Sequence, residues 1–453
     1  MSTSEGIPLV KPNPHDERNV AKLTRYQSWV YFTTFLAYAN SHFSRKCYTN
    51  VKKQLHVQAG MSTALLSRLD TAFMFTYAIG NVLSGNLGDR FRPTIIVGTG
   101  LLGSAICVML LAEGVWLDLV HKSIVWGNVY FLVNWLAHGF FQSTGGPVNT
   151  AIMGNWFGKK NRGLIFGTWT SHQYVGNIIA ALVATSILDS DLPYMWAVVI
   201  PAISNAVWAF VMYFLVPVRP AEKGIVTEEN ASKAHTEDDA DLPPPITYGE
   251  ALKIPSVVQY ALAFGFFKLV NYVLFFWLPF FLTLHYTPAQ SNLISTLYDV
   301  GMMPGGIIVG FVSDIFGGRR ATVIAVFLSL LCILLWVFAE YSDTMDPLAL
   351  LVMLGCMGVL VGGPNNIITS AVAADLASHP TIQGNNRALG TVTGIINGSG
   401  SVVAAIGLLA VGPLSTWGGW PAVWYFLIGC TLVGMLLLGR KIRQELASDY
   451  QQI

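Results

Sequence analysis

Charge is what this sequence has least of. Only 11% of its 453 residues are Asp, Glu, Lys or Arg, against about a quarter in an ordinary soluble domain, which excludes a water-soluble globule. Cysteine is sparse too: Cys47, Cys107, Cys332, Cys356 and Cys430 lie in or beside apolar runs, without CxxC or metal-ligand spacing. That argues against a thiol redox motif or a zinc site and leaves small packing residues. The first twenty residues hold no apolar core, so no cleaved leader is expected. The net charge of +1, with no basic stripe, gives no footing for nucleic acid. Neither a nucleophile–base pair, a metal cluster nor a phosphate-cradling glycine loop can be picked out, so neither enzyme chemistry nor a cofactor or metal is expected. What is abundant is apolar: 53% of the residues, with a mean hydropathy of +0.52. The chain reads as an integral membrane protein, and its 43 glycines suit close helix packing in lipid.

A hydrocarbon core of about 30 Å takes roughly 20 apolar residues per helix. Twelve such runs can be read, near 27–51, 66–88, 94–114, 126–151, 163–187, 193–216, 256–284, 291–313, 321–340, 347–372, 388–413 and 418–439. The long polar stretch between the sixth and seventh, with EEN, TEDDAD and PPP, cannot bury enough apolar surface to fold alone. The expected organisation is a tail (1–25), a six-helix half (26–217), a linker (218–255), a second six-helix half (256–441) and a tail (442–453). Nineteen of the 26 basic residues fall in the tails, the linker and the loops on their side, which by the positive-inside rule places both termini in the cytosol.

The halves repeat. GNLGDRFRP (85–93) recurs as GFVSDIFGGRR (310–320), GGP at Gly145–Pro147 recurs at Gly362–Pro364, and GTWT (167–170) recurs as GTVT (390–393). The offsets of 225, 217 and 223 residues, in the same order, imply duplication about a twofold axis along the membrane normal. The expected fold is therefore an all-α, twelve-span membrane protein of major facilitator type.

Within the spans, Lys268 lies in AFGFFKLVNYVLFFWLP, roughly 18 Å deep at 1.5 Å per residue. A lysine there costs on the order of 2.5–3.5 kcal/mol and must face a partner or a wet cavity. Arg45 is 223 residues earlier, the repeat-equivalent position. A twofold axis would set the two cations on opposite walls of one cavity, where an anion between them relieves their repulsion. A guanidinium can hold phosphate with two parallel hydrogen bonds. The alternatives are that Arg45 snorkels from a boundary marked by Lys52 and Lys53, and that Lys268 pairs with Asp299. Lys46 points about 100° from Arg45 and suits the interface better than a ligand role. Asp70 could be a helix N-terminal charge or a partner of Lys46. His172 could bind substrate, carry a proton or simply pack. Tyr38, Tyr77, Tyr174 and Tyr272 could face a sugar or could pack.

At these residues the chain resembles a known family. SRKCYTNVK (44–52), LDTAFMFTYAIGN (69–81), GNWFGKKNRG (154–163), SHQYVGN (171–177), KLVNYVLFFWLPF (268–280) and GTVTGIINGSGS (390–401) are similar to the sugar-phosphate exchangers of the organophosphate:phosphate antiporter branch of the major facilitator superfamily. The wording is closest to the group called sugar phosphate exchanger 3. The resemblance implies exchange of a phosphorylated sugar, such as glucose-6-phosphate or glycerol-3-phosphate, for inorganic phosphate. It implies Arg45 as the phosphate ligand and Lys268 as the second cation. Lys46, His172, Tyr38, Tyr77, Tyr174, Asn271, Tyr272, Asp299 and Asn397 complete the expected binding set. Asp89, Arg90, Asp314, Arg319 and Arg320 match the family's gating loops. Expected partners are the sugar phosphate, phosphate, the lipid bilayer and an accessory membrane subunit. The chain departs from the family where relatives read GWP and it has Gly145-Gly146-Pro147, and where they often carry an aspartate and it has Asn397. The substrate could then be larger than a hexose phosphate.

Two tail motifs resemble endomembrane sorting signals: Tyr450 with Ile453, and Glu5 with Leu9-Val10. The first resembles the tyrosine signals of lysosomal membrane proteins; no C-terminal dilysine is visible, and the resemblance to the family leaves the endoplasmic reticulum as the other expected endomembrane. The Asn230 sequon falls in the linker and is expected to be unused. Two rival readings are a proton-coupled carrier using Asp299, Asp70 or His172, and a membrane scaffold or sensor working through its linker and tails.

Overall fold

The computed structural model describes residues 14–157, 162–225, 246–382 and 388–447. The sorting motifs, the sequon and the side chains of Asp89 and Arg90 lie outside the described residues.

Twelve helical spans follow one another. They are α1 (Pro14–Asn50), α2 (Thr63–Arg90), α3 (Pro93–Trp116), α4 (Ile124–Gln142 continuing as Gly145–Trp156), α5 (Arg162–Trp169 and His172–Leu188) and α6 (Trp196–Phe214). The second set is α7 (Val257–Leu282), α8 (Pro288–Ile315), α9 (Arg320–Tyr341), α10 (Pro347–Ile367, a π turn Ile368–Val372, then Ala373–Ala377), α11 (Leu389–Leu408 and Val411–Trp417) and α12 (Gly419–Ala447). Eight are long and apolar enough to cross a membrane by length and hydropathy alone. The other four, α1, α2, α4 and α5, carry charges or are broken.

Sequence chemistry accounts for the ends and the breaks. Proline opens α3, α8 and α10 at a first-turn position whose missing N–H would have no partner anyway. Thr287 and Gln290 close a reciprocal capping box on α8, and the Asp346 carboxylate accepts from the Leu348 and Ala349 amides to start α10. The repeated GGP sits at corresponding irregularities: α4 breaks just before Gly145, and α10 passes into its π turn shortly after Pro364. α1 begins well before residue 27, because PHDERNVAKLTRY is helix-forming throughout and starts with proline. The loop from α8 to α9 turns on Gly317 and Gly318, whose φ values of 67° and 79° suit residues without Cβ.

The packing has the twofold symmetry that the repeats imply. In the first half α2 packs on α4, α1 on α5 and α3 on α6; in the second α8 packs on α10, α7 on α11 and α9 on α12. The halves meet through α2 with α11 and α5 with α8, a pair of contacts that the same axis interchanges. Glycine permits the closest approaches. A Cβ on Gly139 of α4 would collide with the Phe73 carbonyl of α2, and one on Gly358 of α10 with the Tyr298 carbonyl of α8. Backbone cannot swing aside as a side chain can, so Gly358→Ala is expected to destabilise the second half by about 1–3 kcal/mol. A thermal melt of the purified protein that matched wild type would contradict this packing.

The described ends of the chain, Pro14 and Ala447, lie on one face with the segment that follows α6, here called the terminal face. Hydrogen bonds joining the halves gather toward the opposite, far face. Ser67 Oγ accepts from the Gly412 amide at 2.7 Å, and Thr71 donates to the Ala405 carbonyl at 3.0 Å. Thr185 donates to the Ala289 carbonyl at 3.1 Å, and Asn292 Nδ2 to the Asn50 carbonyl at 3.0 Å. The far face is the closed one.

Candidate functional site

Arg45, on α1, is 3% exposed. Its guanidinium stacks near Phe73 (5.1 Å) and Tyr77 (4.7 Å) of α2, with the phenols of Tyr38 and Tyr272 also beside it. It does not snorkel. Nη2 donates to Gln142 Oε1 at 3.2 Å, while Nε has no partner among the described residues. Gln142 is in turn anchored: Nε2 donates to the Ser41 carbonyl (2.9 Å), Ser44 Oγ (2.8 Å) and Ser104 Oγ (2.9 Å). Asn205 Nδ2 reaches the same two hydroxyls, and His138 Nδ1 lies 3.3 Å from Ser104. Four spans of the first half, α1, α3, α4 and α6, thus hold the arginine from behind. Gln142 was missed in the sequence, yet a signal existed: Asn134, His138 and Gln142 recur every four residues along one face of an apolar helix.

Lys268, on α7, donates to Ser401 Oγ at 2.8 Å and to the Asn397 carbonyl at 3.2 Å, both on α11. It does not pair with Asp299. Its Nζ lies 5.9 Å from the ring of Tyr272, whose phenol is beside Arg45, and the arginine is within electrostatic reach of the lysine. The two repeat-equivalent cations therefore belong to one region, with Tyr272 between them. Asn397 contributes its backbone carbonyl, and Asn271 Oδ1 accepts from the Tyr298 hydroxyl at 2.9 Å, which ties it to α8.

Two expectations need correction, those for Lys46 and Asp70. Lys46 is not interfacial: it is 2% exposed, donates to the Phe275 carbonyl of α7 at 3.0 Å, and lies 3.9 Å from Asp299 of α8. Asp299 Oδ1 also accepts from Asn177 Nδ2 of α5 at 2.8 Å, so this acid joins the halves. Lys52, just past the end of α1, is fully buried and bonded to both carboxylate oxygens of Asp70, at 3.0 and 2.8 Å. Asp70 is thereby neither a free helix charge nor a partner of Lys46. His172 opens the second piece of α5 at its break. Its ring sits 4.1 Å from Tyr38 and 4.6 Å from Trp169, and neither nitrogen has a hydrogen-bond partner among the described residues.

Tyr174 stands apart from this group; its hydroxyl accepts from Asn366 Nδ2 of α10 at 3.2 Å. Gly146 leaves room that Tyr38 takes: a Cβ there would meet the Tyr38 hydroxyl at 2.8 Å. Of the expected gating residues, Arg320 pairs with Asp375 (2.6 Å) at the terminal end of α10, Asp314 is exposed, and Arg319 is half-buried.

One count decides what such an interior can hold. Among the described residues the buried charged groups are Arg45, Lys46, Lys52 and Lys268 against Asp70 and Asp299. With Lys46 set beside Asp299 and Lys52 bonded to Asp70, Arg45 and Lys268 remain without a carboxylate. With histidines taken as neutral, the interior carries a surplus of two positive charges.

The chain matches a family model described as Major Facilitator Superfamily over residues 34–381 and 282–449. It is 33% identical to sugar phosphate exchanger 3 of Bos taurus, over 96% of each chain. It is also 33% identical to the glucose-6-phosphate exchanger SLC37A2 of Xenopus laevis, over 95% of each. In fold it is similar to the xylose transporter XylE from E. coli in a partially occluded inward-open conformation (TM-score 0.69, 12% identity, 92% of this chain and 98% of that one). It is similar as well to an inward-facing bacterial homologue of the human lysosomal transporter Spinster (TM-score 0.65, 14% identity, 93% and 96%).

Proposed function

This chain belongs to the major facilitator superfamily, and from that premise we propose that it exchanges a phosphorylated sugar for inorganic phosphate by alternating access. The substrate is of the glucose-6-phosphate or glycerol-3-phosphate class, as the names of its relatives suggest. The observation that carries the reading is the buried surplus of two positive charges at Arg45 and Lys268. A phosphoryl group with close to two negative charges at neutral pH balances it. Inorganic phosphate meets the same need, so the two anions compete for one site.

Arg45 offers its unpartnered Nε edge to phosphoryl oxygens, and Lys268 adds a second, more mobile positive charge from the other half. Tyr38, Tyr77 and Tyr272 supply rings and hydroxyls for the sugar, and His172 supplies two free ring nitrogens. With no anion bound, bringing the halves together confines two like charges in a poorly hydrated space. Charge neutralisation by either anion removes that barrier, which makes exchange obligatory. The protein resides in an endomembrane with its termini in the cytosol. Arg320 with Asp375 serves in the terminal-face gate, together with the α2 end at Asp89 and Arg90.

The test is reconstitution of the full chain into liposomes. Labelled glucose-6-phosphate or glycerol-3-phosphate should enter when phosphate is trapped inside and stay outside when it is not. Uptake that follows a pH gradient and ignores internal phosphate would replace this reading with a proton-coupled carrier.

A further inference from the structure

The amide of Gln142 is neutral at a position where a carboxylate would carry the charge opposite to the arginine's. Its Oε1 accepts from Arg45 Nη2 at 3.2 Å, and its Nε2 is surrounded by three acceptors, the Ser41 carbonyl and the Ser44 and Ser104 hydroxyls. This surrounding fixes which end of the amide faces the guanidinium, since only the oxygen can accept from arginine. One edge of the guanidinium is thereby occupied, and Nε is left without a partner among the described residues. A glutamate at 142 would pair with Arg45 and cut the buried surplus from two positive charges to one.

The geometry points to Gln142 as a positioning residue that sets the ionisation state of the substrate: it orients Arg45 without neutralising it, so the site takes the dianion of a phosphate ester in preference to the monoanion. The groups that face it are Arg45 on α1, Ser41 and Ser44 on α1, Ser104 on α3, and Asn205 of α6 through those hydroxyls, with His138 one turn earlier on α4. Among the described residues none of these is a carboxylate, so the network holds Arg45 with dipoles alone.

This inference rests on the exchange reading, and its test separates the two. Liposomes holding the full chain and loaded with inorganic phosphate are assayed for glycerol-3-phosphate uptake from pH 5.5 to 8. The second ionisation of a phosphate monoester lies near pH 6, so the wild-type KM, in total substrate, should rise as pH falls through that value. Q142E should raise KM roughly 30-fold or more at pH 7.5, the scale of losing one buried charge partner, and far less at pH 5.5. Its pH preference then moves toward acid, with kcat changing less than KM. Q142M keeps the volume and the charge balance but loses the acceptor; KM should rise about 10-fold at every pH, with the wild-type profile retained. A Q142E protein that melts like wild type and keeps the wild-type pH profile overturns the inference, as does a Q142M profile shifted like that of Q142E. Wild-type protein that takes up no phosphate ester defeats the exchange reading instead.

Discussion

Arg45→Ala should reduce phosphate exchange to about 1% of wild type or less. Removing one partner of a buried, hydrogen-bonded charge pair costs on the order of 3 kcal/mol, and each 1.4 kcal/mol is tenfold. Here the loss compounds, because the substitution also halves the positive surplus that a dianion would balance. Arg45→Lys should fall between the two, since it restores the charge without the planar fork. It also lacks the flat face that lies against Phe73 and Tyr77. Counterflow of labelled phosphate in liposomes measures all three proteins on one scale. Near-normal exchange by Arg45→Ala, with a melting temperature close to wild type, would remove Arg45 from the site and the charge-balance argument with it.

The fold was legible because membrane helices must satisfy their own backbone. Twelve apolar runs therefore matched twelve spans, and three short repeats implied the twofold axis that relates the α2–α11 contact to the α5–α8 contact. Ends were read less well. The polar start of α1 carries no hydropathy signal, yet it is helical from Pro14, and the breaks in α4, α5 and α11 follow local glycine and hydroxyl chemistry that an apolar window averages away.

In the site, residue spacing was a better guide than residue type. The offset of 223 residues linked Arg45 to Lys268, and both lie in the same region beside Tyr272. Pairing between charges was not legible, because it depends on which faces of separate helices meet. Lys46 and Arg45 are neighbours in sequence, but the 100° turn between them sends one to Asp299 across the seam and the other to Gln142 within its own half. The partner of Lys52 was hidden for the same reason: nothing in the sequence says that Asp70 lies opposite it.

That buried pair yields the largest expected effect on stability. Lys52 and Asp70 belong to the same half, but the rings around the ammonium include two from the other: Trp277 at 4.1 Å and Phe276 at 5.3 Å on α7, with Tyr48 of α1 at 4.9 Å. Asp70→Asn leaves the lysine charged, dry and without its counterion, a loss of about 3–5 kcal/mol. Replacing both members, as Lys52→Met with Asp70→Leu, should recover most of it, because nothing charged then remains to be solvated. The single mutant has one escape: if α7 withdraws its rings, water reaches Lys52. Asp70→Asn should therefore both lower the melting temperature and open the far face, and a cysteine placed at the buried seam residue Ala405 should become reactive toward a soluble thiol reagent. Because part of the pair's cover comes from the other half, its solvation couples stability to conformation. A stability loss with Ala405→Cys still protected would confine the pair to a role in holding the segment after α1 against α2.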